Sequence, residues 1–293
     1  MESYYLMMDV GGTGIKTGIL DVEGKLVKEI EKFPARAKED KETIFSNFVE
    51  IILRMEAYLP KGKLFEGIGM AFPGPFDYEK GISLMQGLDK YDAIYGAKIQ
   101  KEIERRLEKR YRFLFLHDVE AFALGAGILG PAAECEKIFC LCIGTGAGSA
   151  FLEHGSVVKE RADVPAHGWI YDTVFRDGII DDYVSARGLS RQAEELGALD
   201  GAALSALAAE GNIKALSVFR RFGEDMAEAV IPFLQKFQPD GCIIGGQIAK
   251  SFLYFGTDLL SFCKEAGIRV FPVSDTSRWV LAGLYEKFCR EDM

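Results

Sequence analysis

Two short glycine-rich turns, each set between strand-like segments, constrain this chain more than any other feature. The first is Asp9-Val-Gly-Gly-Thr-Gly-Ile-Lys16, flanked by the apolar run Tyr4–Val10 and by Ile15–Leu20. The second, Gly144-Thr-Gly-Ala-Gly148, joins the apolar segment Ile138–Ile143 to Ser149–Glu153. A turn without side chains lets backbone N–H groups and a threonine hydroxyl come close to a phosphate. One such turn is equally well an ordinary hairpin. Two in matching settings point to similar halves that grip the two ends of a triphosphate across a cleft. Neither is a P-loop, since the Gly-Lys-Ser/Thr ending is missing, and a strand rather than a helix follows the first, against a dinucleotide fingerprint.

The remaining patterns fill in an α/β chain. Leu26–Ile30 resumes strand character after the turn Asp21–Gly24, and Ile44, Phe48, Ile51, Ile52 and Met55 keep the helical period. Gly67–Phe72 reads as a strand ending in Pro73-Gly74-Pro75, and Phe113–Leu116 as a buried strand delivering His117 and Asp118 to its end. Lys98–Arg112 carries Ile99, Ile103 and Leu107 on one face and reads as a solvated amphipathic helix. Leu216, Phe219, Phe222, Met226, Val230 and Phe233 form a core stripe on a later helix that Pro232 bends. Gly241–Ile244 is a strand, and Ser277–Phe288 a terminal helix. Strands alternating with helices, plus meanders, predict mixed sheets flanked by helices.

With 293 residues, 48% of them apolar, the chain favours two lobes over one. The expected division is a smaller N-terminal lobe, residues 1–117, completed by the terminal helix 277–293, and a larger lobe, residues 118–276. A formal charge of −9 argues against a nucleic-acid surface, which needs clustered Lys and Arg. No apolar run approaches the roughly 18–20 residues of a membrane span, and no signal peptide or separate N-terminal module is expected. Six cysteines without paired metal spacing suit reduced thiols in a cytoplasmic protein, with Cys140 and Cys142 on one face of a buried strand.

Several residues carry candidate chemistry. Asp9, at a strand end before the first turn, can hold the water shell of a Mg²⁺. Asp118 has two readings, an N-cap for the apolar helix that follows it or a general base placed beside two phosphate turns. Gly245-Gly246-Gln247 follows a buried strand, where it is a plain turn or a surface for the base or ribose of a nucleotide. His167 is a structural histidine or a substrate contact, and His154 a surface residue.

At this point the sequence resembles the ROK family of bacterial sugar kinases and regulators, within the superfamily of sugar kinases, heat-shock proteins and actin. The resemblance rests on DVGGTGIKTGILD (9–21), GIGMAFPGPFD (67–77), HDVEAFALGAG (117–127), IGTGAGSAFLEHG (143–155) and QPDGCIIGGQIA (238–249), in the family's order. It implies a two-lobed actin-like ATPase (ribonuclease H-like) fold, and a glucokinase-like enzyme transferring phosphate from ATP to a primary hydroxyl of a hexose or hexose derivative, at C6. It implies Asp118 as the catalytic aspartate and Gly74 and Pro75 in the loop that meets the sugar, with Gln86, Gly87, His117 and His167 completing the substrate site. Asp9, Gly11, Gly12, Thr13, Lys16, Gly144, Thr145, Gly146, Gly148, Gly245, Gly246 and Gln247 would serve MgATP. It also implies a homodimer.

Three departures bear on this. His117 stands where the family has Asn beside its aspartate, Val164-Pro-Ala-His167 stands for the family's Glu-x-Gly-His, and the cysteines of the zinc motif are missing around Gly178–Ser185. No structural zinc is expected, and the lost Glu opens the site to a substituted sugar such as a glycoside or an N-acetyl sugar. Two rivals are a sugar-binding protein without turnover and a DNA-binding regulator. The second would carry a helix-turn-helix before the first glycine turn, where eight residues stand. A filament protein fits less well, because Pro73–Pro75 and His117-Asp118 follow the kinase pattern.

Overall fold

In the computed structural model, which describes residues 3–290 except Ala198 and the Glu195 side chain, the chain divides into two compact units. One holds the residues up to Gly125 and those from Ser277 onward; the other is Ala126–Thr276. Each is built on a five-stranded sheet. In the first, β1 (Tyr4–Val10) pairs antiparallel with β2 (Gly14–Asp21), which pairs with β3 (Glu31–Pro34), while β4 (Gly67–Phe72) and β5 (Arg112–His117) add parallel on the other side, in the order β3-β2-β1-β4-β5. The second repeats this plan with β6 (Lys137–Ile143), β7 (Ala147–Glu153), β8 (Ser156–Val157), β9 (Gly241–Gly245) and β10 (Arg269–Pro272), in the order β8-β7-β6-β9-β10. The parallel strands β4 and β9 are buried along their whole length, which is why they read as unbroken apolar runs.

Helices cover these sheets where the periodicity places them. α1 (Lys41–Glu56) is capped by Asp40, whose carboxylate accepts the Thr43 N–H at 2.8 Å, and it buries Ile44, Phe45, Phe48, Ile51, Ile52 and Met55. α2 (Ile99–Leu107) buries Ile99, Ile103 and Leu107, with the Arg106 side chain only 10% exposed beside them and Lys101 and Arg105 in solvent. In the second unit α6 (Ile213–Phe237) runs through Pro232 and buries Phe219, Phe222, Met226 and Val230. No helix among the described residues is long and apolar enough to cross a membrane.

Two expectations need correction. The strand placed at Leu26–Ile30 lies instead at Glu31–Pro34, with Leu26 making only an isolated bridge to Leu20. Asp21 Oδ1 accepts the N–H groups of Glu23 and Lys25, and the tight turn lays Leu26 over Gly18, where a Cβ would come 2.7 Å from its methyl. The division before Asp118 falls after Gly125. α3 (Asp118–Leu124) packs on β4 and β5, and its end meets α7 (Thr276–Arg290) so closely that a Cβ on Gly125 or Gly283 would overlap a carbonyl of the other helix.

On α2, Glu102 accepts from Arg106 at 2.6 Å and pairs with Lys41 at 2.9 Å, and these cations hold its carboxyl down at about 2. A depressed carboxyl stabilises the fold above its unfolded pKa of 4.5 and loses that contribution as pH falls toward 2. Glu102→Gln is therefore expected to lower the unfolding midpoint at pH 7, with the difference from wild type closing as melts are recorded at successively lower pH below 4.5. A difference that is the same at both ends of that range would refute the assignment.

Candidate active site

In the first unit the C-terminal ends of β1, β4 and β5 bring the candidate groups together. Asp9 sits opposite Lys16 in the β1–β2 register, with Lys16 Nζ 3.6 Å from its Oδ2; the same ammonium donates to Ser277 Oγ in the first turn of α7. Burial pushes the Asp9 carboxyl up, Lys16 and a hydrogen bond from Ser277 pull it down, and the Asp118 charge pushes it up again. Asp9 and Asp118 therefore share one electrostatic environment.

Of the two readings of Asp118, the cap position itself falls one residue earlier. The cap residue of α3 is His117, in extended backbone conformation, and Asp118 is the first helical residue. His117 Nδ1 lies 3.3 Å from the Val119 N–H and 3.2 Å from Asp118 Oδ1, which itself accepts from Val119 N at 2.8 Å. The imidazole can thus close the cap as the Nε2–H tautomer or donate to Asp118 as the Nδ1–H tautomer. Asp118, the first residue of the helix, is 38% exposed, and its Oδ1 shares the Val119 N–H with the His117 ring.

Gly74 lies between two rings. A Cβ there would stand 3.7 Å from Tyr78 Oη and 3.8 Å from His117 Cδ2, so any side chain would occupy the space in front of His117. Tyr78 meets His117 edge-on with centroids 5.9 Å apart, and its hydroxyl donates to the Phe72 carbonyl at 3.1 Å. Burial and the charges of Asp118 and Glu120 hold this phenol protonated. Pro75 follows, its carbonyl accepting from Leu84 N at 3.2 Å, while Gln86 and Gly87 occupy an exposed loop.

The first glycine turn closes through Gly11 N–H to Gly14 O at 3.0 Å, and the buried Tyr91 donates from its hydroxyl to Gly11 O at 3.1 Å. Gly12 has the Lys90 side chain beside it, and Thr13 is exposed. In the second unit the Gly144 N–H donates to Gly146 O at 2.9 Å, with Thr145 exposed and Gly148 paired with Cys142. Gly246, at φ 92°, lies where any Cβ would overlap the Ile143 carbonyl, so the Gly245-Gly246 turn rests against the end of β6, with Gln247 exposed beside it.

His167 is exposed, its Nδ1 3.0 Å from Glu160 Oε1 and its ring against Trp169. Val164 is buried in the core of the second unit, so that position presents no polar group. The segment Gly178–Ser185 is held by carboxylates: Asp181 Oδ1 accepts from Ala147 N at 2.7 Å, and Asp182 Oδ2 accepts from Ile179 N at 3.0 Å. Among the described residues, no three His, Cys, Asp or Glu side chains group as a metal site.

Tyr78, Tyr91, Ser277 and Asp181 were not singled out in the sequence. Each acts through contacts at least 34 residues away or through a backbone carbonyl, and none sits in a motif whose spacing marks it.

A family model described as the ROK family matches residues 5–276. The chain belongs to the ROK family. Glucokinase from Thermotoga maritima is 25% identical to this ROK protein over 270 residues, covering 83% of this chain and 82% of that one. A solved structure of a ROK family glucokinase from Streptomyces griseus, in complex with glucose and AMPPNP, superposes with a TM-score of 0.73 at 19% identity, covering 97% of this chain and 99% of that one. A ROK family transcriptional regulator, a homologue of the E. coli MLC protein, gives a TM-score of 0.81 at 16% identity, covering 97% and 78% of the two chains. The fold is therefore the actin-like α/β fold with mixed sheets flanked by helices.

Proposed function

We propose that this ROK protein is a sugar kinase that transfers the γ-phosphoryl group of ATP to a primary hydroxyl, at C6, of a hexose or hexose derivative. The observation that carries the reading is Asp118, the partly exposed first residue of α3, whose charge acts on both Asp9 and Tyr78. Asp118 takes the proton of the attacking hydroxyl as its oxygen bonds to the γ-phosphorus and the bond to the β-phosphate oxygen breaks, releasing ADP. The turns at Gly11–Thr13 and Gly144–Gly146 offer N–H groups to the phosphates, Lys16 adds positive charge, and Gly245-Gly246-Gln247 serves the adenosine. Mg²⁺, when bound with the nucleotide, would neutralise phosphate charge; Asp9, a partly buried carboxylate that feels the charge of Asp118, fits the water shell of such a cation. His117 and His167 read the sugar hydroxyls, and the buried Val164 leaves room for a substituted sugar. The glucokinase relative and the glucose-bound fold neighbour support the substrate class. A homodimer acting in the cytoplasm completes the reading.

The likeness to the transcriptional regulator favours one alternative, sugar binding without turnover in a sensor or regulator. Coupled ADP release against hexoses, N-acetyl hexosamines and glycosides separates the two. Sugar-dependent ADP release with at least one of them is expected. Calorimetric binding of a sugar without ADP from any of them would select the alternative.

A further inference from the structure

The second glycine turn contains no cation of its own, and the fold supplies one. Asp181 reaches the turn from the segment after β8: Oδ1 accepts the Ala147 N–H at 2.7 Å, and a Cβ on Gly146 would stand 2.7 Å from that same oxygen. Its other oxygen pairs with Arg187. The next turn of chain is tied to the same place, since Ala186 N–H donates to Gly144 O at 2.8 Å, and Ser185 Oγ donates to Asp181 O at 2.6 Å and accepts from Gly188 N at 3.2 Å.

The pair is asymmetric. The Asp181 side chain is 13% exposed and faces the turn, whereas that of Arg187 is 67% exposed. A bare carboxylate at this point would repel a phosphate arriving on the turn. With Arg187 laid over it, the outer face carries a guanidinium, whose five N–H donors exceed what one carboxylate oxygen uses. The first glycine turn has a comparable arrangement, with Lys90 against Gly12 and Lys16 beyond Gly14.

We infer that Arg187 is a further phosphate-binding residue at the Gly144–Ala147 turn, and that Asp181 is the positioning residue that holds both the turn and the guanidinium. The inference rests on the reading of this turn as a nucleotide phosphate site. Calorimetry with MgAMPPNP and with adenosine, on wild type, Arg187→Ala, Arg187→Lys and Asp181→Asn, tests it. Removing a charge-assisted contact is expected to weaken MgAMPPNP binding by Arg187→Ala about 10- to 100-fold. Adenosine affinity and the unfolding midpoint stay at their wild-type values, Arg187→Lys recovers part of the loss, and Asp181→Asn, which keeps an acceptor for Ala147, loses an intermediate amount. MgAMPPNP affinity unchanged in Arg187→Ala, or adenosine affinity lost along with it, overturns the inference alone. Wild-type protein that binds no MgAMPPNP overturns the kinase reading and the inference with it.

Discussion

Asparagine in place of Asp118 is expected to leave the fold and sugar affinity intact and to lower turnover by about 10²- to 10⁴-fold, the usual contribution of a general base. Asparagine matches aspartate in shape and keeps an oxygen to accept the Val119 N–H, now 2.8 Å from Oδ1, so the start of α3 is preserved. His117, the cap residue, is untouched. The substitution also removes a charge that raises the Asp9 carboxyl, so Asp9 ionises more readily in the variant and a loss of turnover cannot be laid to its neutralisation. The measurement is kcat and KM by coupled ADP release, with sugar affinity from calorimetry. Unaltered kcat would remove Asp118 as the base; loss of sugar binding together with kcat would make it a binding group.

Gly283→Ala should be the most damaging single methyl in the first unit. A Cβ at Gly283 would overlap the Ala121 carbonyl oxygen, and one at Gly125 the Trp279 carbonyl oxygen, so each helix backbone occupies the space that a side chain on the other would need. Both obstacles are main chain in ordered helices, and neither can rotate away as a side chain would. Overpacking of this kind costs about 3 kcal/mol, which for a unit of this size lowers the unfolding midpoint by roughly 10 °C. The cost reaches the site as well. α3 begins with Asp118, and α7 begins beside Ser277, which holds Lys16 near Asp9. Separating the helices moves the base relative to that ion pair, so the folded fraction of the variant should also turn over more slowly. An unfolding midpoint within a degree or two of wild type would show that the crossing relaxes, at a cost of under about 0.5 kcal/mol.

Much of this architecture is legible before any coordinates. The two Gly-Thr-Gly turns mark the hairpins β1–β2 and β6–β7, the apolar runs mark the central parallel strands, and Ile99, Ile103 and Leu107 mark the one buried face of a charged helix. Each signal is local, because strand alternation, helical period and turn composition are set by neighbours within a few residues. The third strand was misplaced because its position depends on how Leu26 packs over Gly18, a contact that periodicity does not encode.

The site divides in the same way. Neighbouring residues alone mark a carboxylate, Asp118, at a strand end before an apolar helix, and two glycine turns in matching settings. The same neighbours do not decide whether Asp118 caps that helix, since the choice between adjacent residues depends on one residue's backbone angles, and His117 takes the extended conformation. Folding brings Tyr78 to His117, Tyr91 to Gly11 across 80 residues, Lys16 to Ser277 across 261, and Asp181, paired with Arg187, to Ala147 of the second turn across 34. Contacts over such separations follow from how the sheets and helices pack, and a pattern read a few residues at a time carries no record of them.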